Sequence, residues 1–361
     1  MHRNLWLVAV VSITMSRAAS SARAETMVLV AGGGDQGDGA RATDARLHQP
    51  FGVDFDKSGA MFIVELEGGH VHRVDAQGIF STIAGTGEVK GDTGDGGPAK
   101  RATFNGMHSL AIAPSGDIFI ADTWNNRVRR IDPRSGIISA FAGTGRKAYA
   151  GDGGPADRAD CGGVYCVAFG PDAKTLFLAD LDNRRIRAVD MPSGTIRLVA
   201  GNGERGVPAD GSVAREAPLF DPRAVAADAQ GNVYILERGG HALRVVDRTG
   251  KIRTVAGTGT AGPAGDDGPA LAATLRGPKH LCLDRDGGVV IADTDNHVIR
   301  KYLPGEGRLV RIAGTGRMGS AGLGGPPIKV ELNQPHGVHV DATGTLFIVD
   351  SHNDRVLKIA K

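Results

Sequence analysis

The stretch ADTWNNRVRRID, residues 121–132, decides the fold because its pattern occurs six times along the chain. The acidic residues that mark the copies are Glu65, Asp122, Asp180, Glu237, Asp293 and Asp350. Successive markers are 57, 58, 57, 56 and 57 residues apart, and a second marker, AGTG or AGNG, keeps a similar period from Ala84 to Ala313. A constant period of this length indicates a repeat architecture in which each unit packs against its neighbours.

Each unit has the pattern of four short β-strands. In the second unit the strands are HSLAIAP (108–114), IFIAD (118–122), RVRRID (127–132) and IISAFAG (137–143), separated by SGD, TWNN and PRSG. Alternating apolar and polar residues between such turns are typical of half-buried strands joined by hairpins. Four such strands make one blade, so we predict an all-β fold, a six-bladed β-propeller of four-stranded blades.

The two ends of the chain predict how the ring closes. The last unit stops after its third strand, DRVLKIAK, while residues 26–45 resemble residues 252–273, which contain a fourth strand. We therefore expect the N-terminal strand to complete the sixth blade, which would pair two otherwise open strand edges. The predicted blades of this single domain, 25–361, are residues 47–87, 103–145, 160–203, 219–259, 275–316, and 332–361 together with 26–34.

The first 24 residues have the pattern of a secretory signal. MHRN supplies a basic start, LWLVAVVSITM is an apolar run of 11 residues, and Ala22 and Ala24 form an A-x-A site. An apolar run of this length is too short to span a bilayer. We expect cleavage after Ala24 and a secreted or periplasmic protein without a membrane span; an uncleaved anchor is the alternative.

Charge and cysteine content narrow the possible partners. The 42 Lys and Arg residues nearly balance the 40 Asp and Glu residues, which argues against a surface built for nucleic acid. A local basic patch remains the alternative, but with the expected secretion we expect no nucleic-acid partner. We also expect a monomer. The cysteines, Cys161, Cys166 and Cys282, match no zinc spacing. An oxidising compartment would permit a Cys161–Cys166 disulfide, and buried free thiols are the alternative.

The unit P-x-G-φ…G-x-φ-φ-φ-A-D-x-x-N-x-R-φ-R, where φ is apolar, resembles the NHL repeat over nearly all of residues 26–361. The connector GDGGPA, at 94–99 and 151–156, is common in bacterial secreted proteins of this family. The resemblance implies a propeller architecture and no particular chemistry. The Asp-Gly connectors suggest calcium loops, but the EF-hand spacing is absent, so we interpret them as turns that rim one face.

The repeated polar residues are interpreted as parts of the scaffold. Asp122 and Asn125 are expected to bond backbone amides at a turn, and Gly68 and Gly240, which replace Asn125 in units 1 and 4, to provide backbone freedom. Arg129 is expected to face solvent or to pair with acids of a neighbouring blade. Arg187, Arg244 and Arg300 occupy its place in other units.

Function is sought where the copies differ, at the start of the first strands, which line the axis of a propeller. The differing residues are Phe51, His108, Tyr165, Arg223, Lys279 and His336. One residue from each blade would ring the mouth of the central channel, where ligand pockets of ring folds commonly lie. We predict a binding module that uses this mouth and the connector loops to hold a protein, peptide or glycan. The other histidines, His70 and His72 among them, are given solvated or hydrogen-bonded roles.

The alternative function is a metal-assisted lyase or hydrolase. Residues 107–132 resemble peptidyl-hydroxyglycine amidating lyase, a related six-bladed propeller, and this resemblance implies a zinc ligand at His108 and, by its matching position, at His336. The third ligand position in that family corresponds to Arg223, and His280 lies one place further along its strand. The catalytic candidates are His108, Tyr165 as proton donor or acceptor, Arg223 for an anionic group, and His336. Gluconolactonase-like propellers, which are also similar, imply calcium instead.

Overall fold

The repeats fold into six antiparallel sheets in a computed structural model, which describes residues 25–88 and 90–361. The predicted signal segment, residues 1–24, lies outside the described residues. In blades 1 to 5 the four strands pair in chain order. The first strands of successive blades contact one another around a complete circle, so the prediction of a six-bladed propeller is confirmed.

The strands are numbered in chain order, and β1 is Thr26–Gly32. Blade 1 contains β2–β5, which are Pro50–Phe55, Met61–Glu65, Val71–Val74 and Phe80–Ala84. Blade 2 contains β6–β9, which are Met107–Ile112, Ile118–Asp122, Arg127–Ile131 and Ile138–Ala142. Blade 3 contains β10–β13, which are Val164–Phe169, Thr175–Asp180, Arg185–Asp190 and Thr195–Ala200.

Blades 4 and 5 each gain a two-residue strand at the outer edge, β14 (Ser212–Val213) and β19 (Gly268–Pro269). Blade 4 contains β15–β18, which are Pro222–Ala227, Val233–Glu237, Ala242–Val246 and Lys251–Ala256. Blade 5 contains β20–β23, which are His280–Leu283, Val289–Asp293, Val298–Leu303 and Arg308–Ala313. Blade 6 contains β24–β26, which are Gly337–Val340, Leu346–Asp350 and Arg355–Ala360.

Helical structure in the described residues is confined to short 3₁₀ segments in connectors and turns. These are Ala42–Asp44, Ala99–Arg101, Thr123–Asn125, Ala156–Arg158, Ala270–Ala272, Thr294–Asn296, Pro327–Lys329 and Ser351–Asn353. In this part of the chain, no helix has the length and apolar character needed to cross a membrane.

The ring closes as the chain ends predict, because β1 completes blade 6. It pairs antiparallel with β26, from Thr26 opposite Ala360 to Gly32 opposite Arg355, with a bulge between Leu29 and Ala31. The side chain of Met27 is fully buried in the core of this region. Closure therefore removes two strand edges and buries apolar surface, both of which stabilise the ring.

The acidic marker of each repeat lies in a buried polar cluster. Asp122 accepts hydrogen bonds from the backbone N of Asn105 at 2.8 Å and from Asn125 Nδ2 at 2.9 Å. The bonded amide thus belongs to the connector 17 residues upstream and not to the adjacent turn. Arg129 is fully buried, with Nη1 3.8 Å from the Asp122 carboxylate and Nη2 2.9 Å from Asp95 of the connector.

The expectation that these arginines face solvent or reach a neighbouring blade is therefore wrong. Arg129 Nη1 donates to the carbonyl of Thr103 at 2.7 Å, and Nη2 donates to that of Thr93 at 2.9 Å. The connector lies over the outer strands and places these carbonyls where only a buried donor can satisfy them. Asp95, Asp152 and Asp266 of the Asp-Gly connectors pair with Arg129, Arg187 and Arg300, so the connectors anchor the blades.

The cysteines are free thiols in this structure. Cys161 and Cys166 are both buried and are not joined to each other. Burial raises the pKa of the Cys161 thiol to about 12. These thiols therefore behave as small apolar residues of the core.

Candidate functional site

The first strand of each blade begins at one end of the central channel and brings the predicted mouth residues together there. Phe51 stacks on His336, with ring centroids 4.0 Å apart, and meets the edge of His108 at 5.1 Å. His108 packs against Tyr165 with a centroid separation of 4.3 Å. All four side chains are buried, so they form an aromatic floor across the mouth.

The two remaining mouth residues are cations that stand beside this floor. The guanidinium of Arg223 lies 4.4 Å from the Tyr165 ring centroid, and its Nε donates to Asp221 at 2.8 Å. The Nζ of Lys279 donates to His336 Nε2 at 2.7 Å. Both cationic side chains are half-buried, so an anionic ligand can reach them from the open side.

Burial sets the protonation states at the mouth. Desolvation, reinforced by the charges of Arg223 and Lys279, lowers the pKa of His108 to about 3. Desolvation and the charge of Lys279 hold the pKa of His336 well below its usual value. Desolvation also lowers the pKa of Lys279 to about 8. At neutral pH the imidazoles are therefore uncharged, while Arg223 and Lys279 carry positive charge.

Asp221 and Asp295 compensate part of this charge. Asp221 contacts both Arg223 and Arg238, and both carboxylates act electrostatically on Lys279. Three cations facing two carboxylates leave an excess of one positive charge. The mouth therefore favours an anionic group, but not a densely charged polyanion.

The geometry does not favour zinc at His108 and His336. Phe51 packs between the two rings, and both nitrogens of His336 are engaged, with Nδ1 2.8 Å from the Gln334 carbonyl. Among the described residues, neither histidine belongs to a group of three metal-ligating side chains. A zinc site usually has at least three protein ligands.

The turns between the second and third strands add a rim that the sequence analysis missed. Trp124, 55% exposed, lies edge-on to His108 at 5.4 Å, and the exposed His352 stacks on His336 at 5.7 Å. The available signal is again divergence between copies. The residues two places after each acidic marker are Glu67, Trp124, Asp182, Gly239, Asp295 and His352.

The channel below the floor is mostly apolar. Its cavity of about 320 Å³ is lined by side chains that include Val53, Leu110, Val167 and Leu281. At this cavity Asp54 lies 3.5 Å from His339 Nε2, and burial raises the pKa of this carboxyl group. The polar chemistry on the two sides of the floor therefore differs, with cations at the mouth and an acid below.

A second polar cluster lies in blade 1, on β3, β4 and the turn between them. Glu65 Oε2 is 3.4 Å from His70 Nδ1 and 3.2 Å from His72 Nε2. One ligand atom of each residue lies within 4.8 Å of the other two, an arrangement that can hold a metal ion. His72 is buried and hydrogen-bonded to Thr82, which is the second of the two roles expected for the histidines. The sequence signal for this cluster is that His72 aligns with Arg129 and the corresponding arginines of other blades.

The fold is a six-bladed β-propeller whose aligned first strands bring six differing side chains to one end of the channel. The family profile of the teneurin NHL domain matches residues 25–93, and that of the NHL repeat matches residues 104–131. Two segments of this six-bladed β-propeller therefore match family models of the NHL type.

Curated relatives match this chain at low identity. SUPPRESSOR OF QUENCHING 1 of Arabidopsis thaliana is 27% identical over 272 residues, which are 71% of this chain and 25% of that protein. Human teneurin-1 is 25% identical over 334 residues, which are 82% of this chain and 11% of that protein. The chain therefore spans a quarter or less of the length of these two relatives.

Solved structures show the same fold. An auxiliary nutrient binding protein from Bacteroides thetaiotaomicron superposes with a TM-score of 0.68 at 15% identity, covering 93% of this chain and 76% of that one. Virginiamycin B lyase from Staphylococcus aureus superposes with a TM-score of 0.53 at 14% identity, covering 93% and 99%. At these identities the likeness establishes the fold alone.

Proposed function

We propose that this propeller is a binding module whose channel mouth holds the acidic end of a peptide or glycan. The observation that carries the proposal is the convergence of an aromatic floor and two accessible cations from six separate blades. A purely structural position would have no need for five different residue types among its six copies. The names of relatives add modest support, since one structural neighbour is described as a nutrient binding protein.

The chemistry of the mouth suggests how such a ligand would sit. Arg223 has a planar fork of donors that suits a carboxylate, and Lys279 supplies a second positive charge. The buried rings below exclude water and strengthen both interactions. Trp124 offers an exposed aromatic face at the rim, where a sugar ring or an apolar side chain can stack.

The proposal is tested by calorimetric titration of the purified protein with defined probes. These are a pentaglutamate peptide, the neutral pentaglutamine peptide and an oligogalacturonate. We expect one of the acidic probes to bind and pentaglutamine to bind at least about tenfold more weakly, a difference of about 1.4 kcal/mol. The double variant R223A/K279A should lose this preference, because it removes both accessible cations.

A matched control removes the same charge elsewhere in blade 4. The exposed pair R248A/K251A should leave binding of the acidic probe unchanged. Equal loss in both double variants would show that net surface charge, and not the mouth, attracts the probe. Failure of the wild-type protein to bind either acidic probe would reject the proposed ligand class.

We further propose that the protein acts outside the cytoplasm, as a secreted or periplasmic protein. The basic start, the short apolar run and the A-x-A site of residues 1–24 support this location. Mass measurement of the protein recovered from its host should give a chain that begins at Glu25. Recovery of the intact N-terminus would contradict it.

A further inference from the structure

We propose that Glu65, His70 and His72 form a zinc-binding site in blade 1, built from residues other than those of the channel mouth. Two imidazole nitrogens and one carboxylate oxygen are a donor set that binds Zn²⁺ in proteins, with water in the fourth position. The site stands on three observations. These are the spacing of the ligand atoms, the hydrogen bond that orients His72, and the missing cation beside Glu65.

The spacing of the ligand atoms suits a tetrahedral ion. With metal–ligand bonds of about 2.0–2.1 Å, neighbouring ligands of a tetrahedral zinc lie about 3.3–3.4 Å apart. Glu65 Oε2 is 3.4 Å from His70 Nδ1 and 3.2 Å from His72 Nε2. In the described part of the chain, Glu65 Oε2 and His72 Nε2 are nevertheless buried atoms with no hydrogen-bond partner. They approach each other without the alignment of a hydrogen bond.

The orientation of His72 explains this misalignment. Its Nδ1 lies 3.1 Å from Thr82 Oγ1, and that hydroxyl donates its only hydrogen to Asp38 Oδ1 at 2.8 Å. The hydroxyl must therefore accept from His72 Nδ1–H, which leaves the Nε2 of a neutral imidazole unprotonated. A lone pair on Nε2 then faces the carboxylate oxygen, and a cation between them removes their repulsion. Histidine ligands of metals are commonly held by such a hydrogen bond at the other nitrogen.

Comparison with the other blades shows that a cation belongs at this place. The aligned carboxylates lie near the guanidinium groups of Arg129, Arg187, Arg244, Arg300 and, from the position aligned with His70, Arg355. Glu65 is the marker whose two guanidinium positions both hold histidine. A buried carboxylate without a partner is costly, so either a proton on His72 or a bound metal must supply the charge.

The site also has room and access. A Cβ on Gly68 would lie 1.7 Å from Glu65 Oε2, so only glycine leaves space for this carboxylate. Glu65 and His72 are 1% and 5% exposed in their side chains, while that of His70 is 28% exposed. The metal would therefore enter on the His70 side, where a water molecule can complete its coordination.

The experiment is a titration of the chelator-treated full chain with Zn²⁺ alone. Calorimetry measures the affinity, and native mass spectrometry measures the number of ions bound. We expect one zinc ion per chain with a dissociation constant below about 10 µM. His70→Ala should weaken binding at least about 100-fold without threatening the fold, because His70 is partly exposed. Thr82→Val keeps all three ligands but loses the orienting hydroxyl, and should weaken binding about 10- to 100-fold.

His241→Ala is the matched control. His241 is the last residue of a Gly-Gly-His sequence in blade 4, as His70 is in blade 1, but among the described residues it belongs to no group of three possible metal ligands. This variant should bind zinc like the wild-type protein. The proposal is overturned if folded wild-type protein, checked by its thermal unfolding, binds no zinc in the micromolar range. It is also overturned if His70→Ala and His241→Ala bind equally well, and then a protonated His72 is the partner of Glu65.

Discussion

Blades 1 and 4 share a set of substitutions that sets them apart from the other four blades. In both blades Glu replaces Asp as the acidic marker, and Gly replaces Asn in the turn. Both blades also have a Thr on the fourth strand, beside an Asp of the connector. The shared residues are Glu65 and Glu237, Gly68 and Gly240, Thr82 and Thr254, and Asp38 and Asp210. In both blades the connector Asp accepts from the backbone N of that Thr at 2.7 Å.

The Glu and Gly substitutions depend on each other. A Cβ on Gly68 or Gly240 would lie 1.7 or 2.4 Å from the Oε2 of the neighbouring glutamate. The longer glutamate side chain thus occupies the volume that the Asn side chain fills in other blades. Glycine is required here for space, and a change of one residue alone would leave either a clash or a void.

The two blades differ in the cation that faces the glutamate. In blade 4 the Nε of Arg244 donates to Glu237 Oε2 at 2.8 Å, and another of its nitrogens reaches Thr254. In blade 1 the shorter His72 occupies the same place, with His70 beside it. The same arrangement of strands therefore places a guanidinium beside the glutamate in blade 4 and two imidazoles beside it in blade 1.

The largest expected effect comes from removing the cation in each blade. Arg244→Ala should lower the free energy of unfolding by about 3–5 kcal/mol, because Glu237 stays buried without a charged partner. His72→Ala should cost only about 1–2 kcal/mol in metal-free protein, because His70 still faces Glu65. Urea unfolding at pH 7 with a chelator measures both losses. Equal losses would mean that the two glutamates depend on their partners to the same degree.

Much of the architecture was predictable from the sequence because it follows from local periodicity. The 56- to 58-residue period predicts the number of blades, and the alternation within RVRRID predicts a strand. The similarity of residues 26–45 to residues 252–273 predicts which blade the N-terminal strand completes. The mouth residues were predictable for the same reason, since aligned positions of a ring fold must lie at equal heights. Their packing as a buried floor, with Lys279 bonded to His336, depends on contacts between blades and could not be predicted.

Other features of the structure depend on segments that are distant in the sequence. Arg129 is buried because a connector covers it, and no local pattern encodes that cover. Gly68 appeared to serve backbone freedom, yet the positive φ of 64° belongs to the next residue, Gly69. His72 could have been noticed, because histidine replaces arginine at an aligned position. Its meaning required the distances to Glu65 and Thr82.

A pH series should separate the two glutamates by the sign of their contribution. Burial alone raises the pKa of Glu65, but the favourable interactions of its carboxylate with the adjacent His70 and His72 outweigh this effect and lower the pKa to about 2. Burial raises the pKa of Glu237 in spite of Arg244. A lowered carboxyl pKa stabilises the fold above the unfolded pKa of about 4.3, and this stabilisation is lost as the pH falls towards 2. A carboxyl group whose pKa is raised in the folded state stabilises the fold at low pH, and this stabilisation is lost as the pH rises through the pKa of the folded state.

Urea unfolding of chelator-treated variants between pH 2 and pH 7 tests this contrast. The stability of the wild-type protein relative to Glu65→Gln should grow by up to about 3 kcal/mol as the pH rises through this range. Its stability relative to Glu237→Gln should fall over the same range. Parallel curves for the two variants would contradict the assigned difference between the sites.

The smallest expected change in intrinsic stability comes from converting blade 1 to the pattern of blade 4. The double variant H70A/H72R reproduces Ala242 and Arg244, and the shared Gly68 and Thr82 already provide the space and the hydroxyl that the guanidinium uses in blade 4. Its metal-free stability should lie within about 1 kcal/mol of the wild-type value, because one cation replaces another beside the same carboxylate. Zinc should no longer stabilise it, whereas the wild-type protein should gain about 2.7 kcal/mol at a zinc concentration 100 times the dissociation constant. Thermal unfolding with and without zinc measures both quantities. A variant that zinc still stabilises would place the metal elsewhere in the chain, and a variant that is severely destabilised would show that blades 1 and 4 differ in more than their cation.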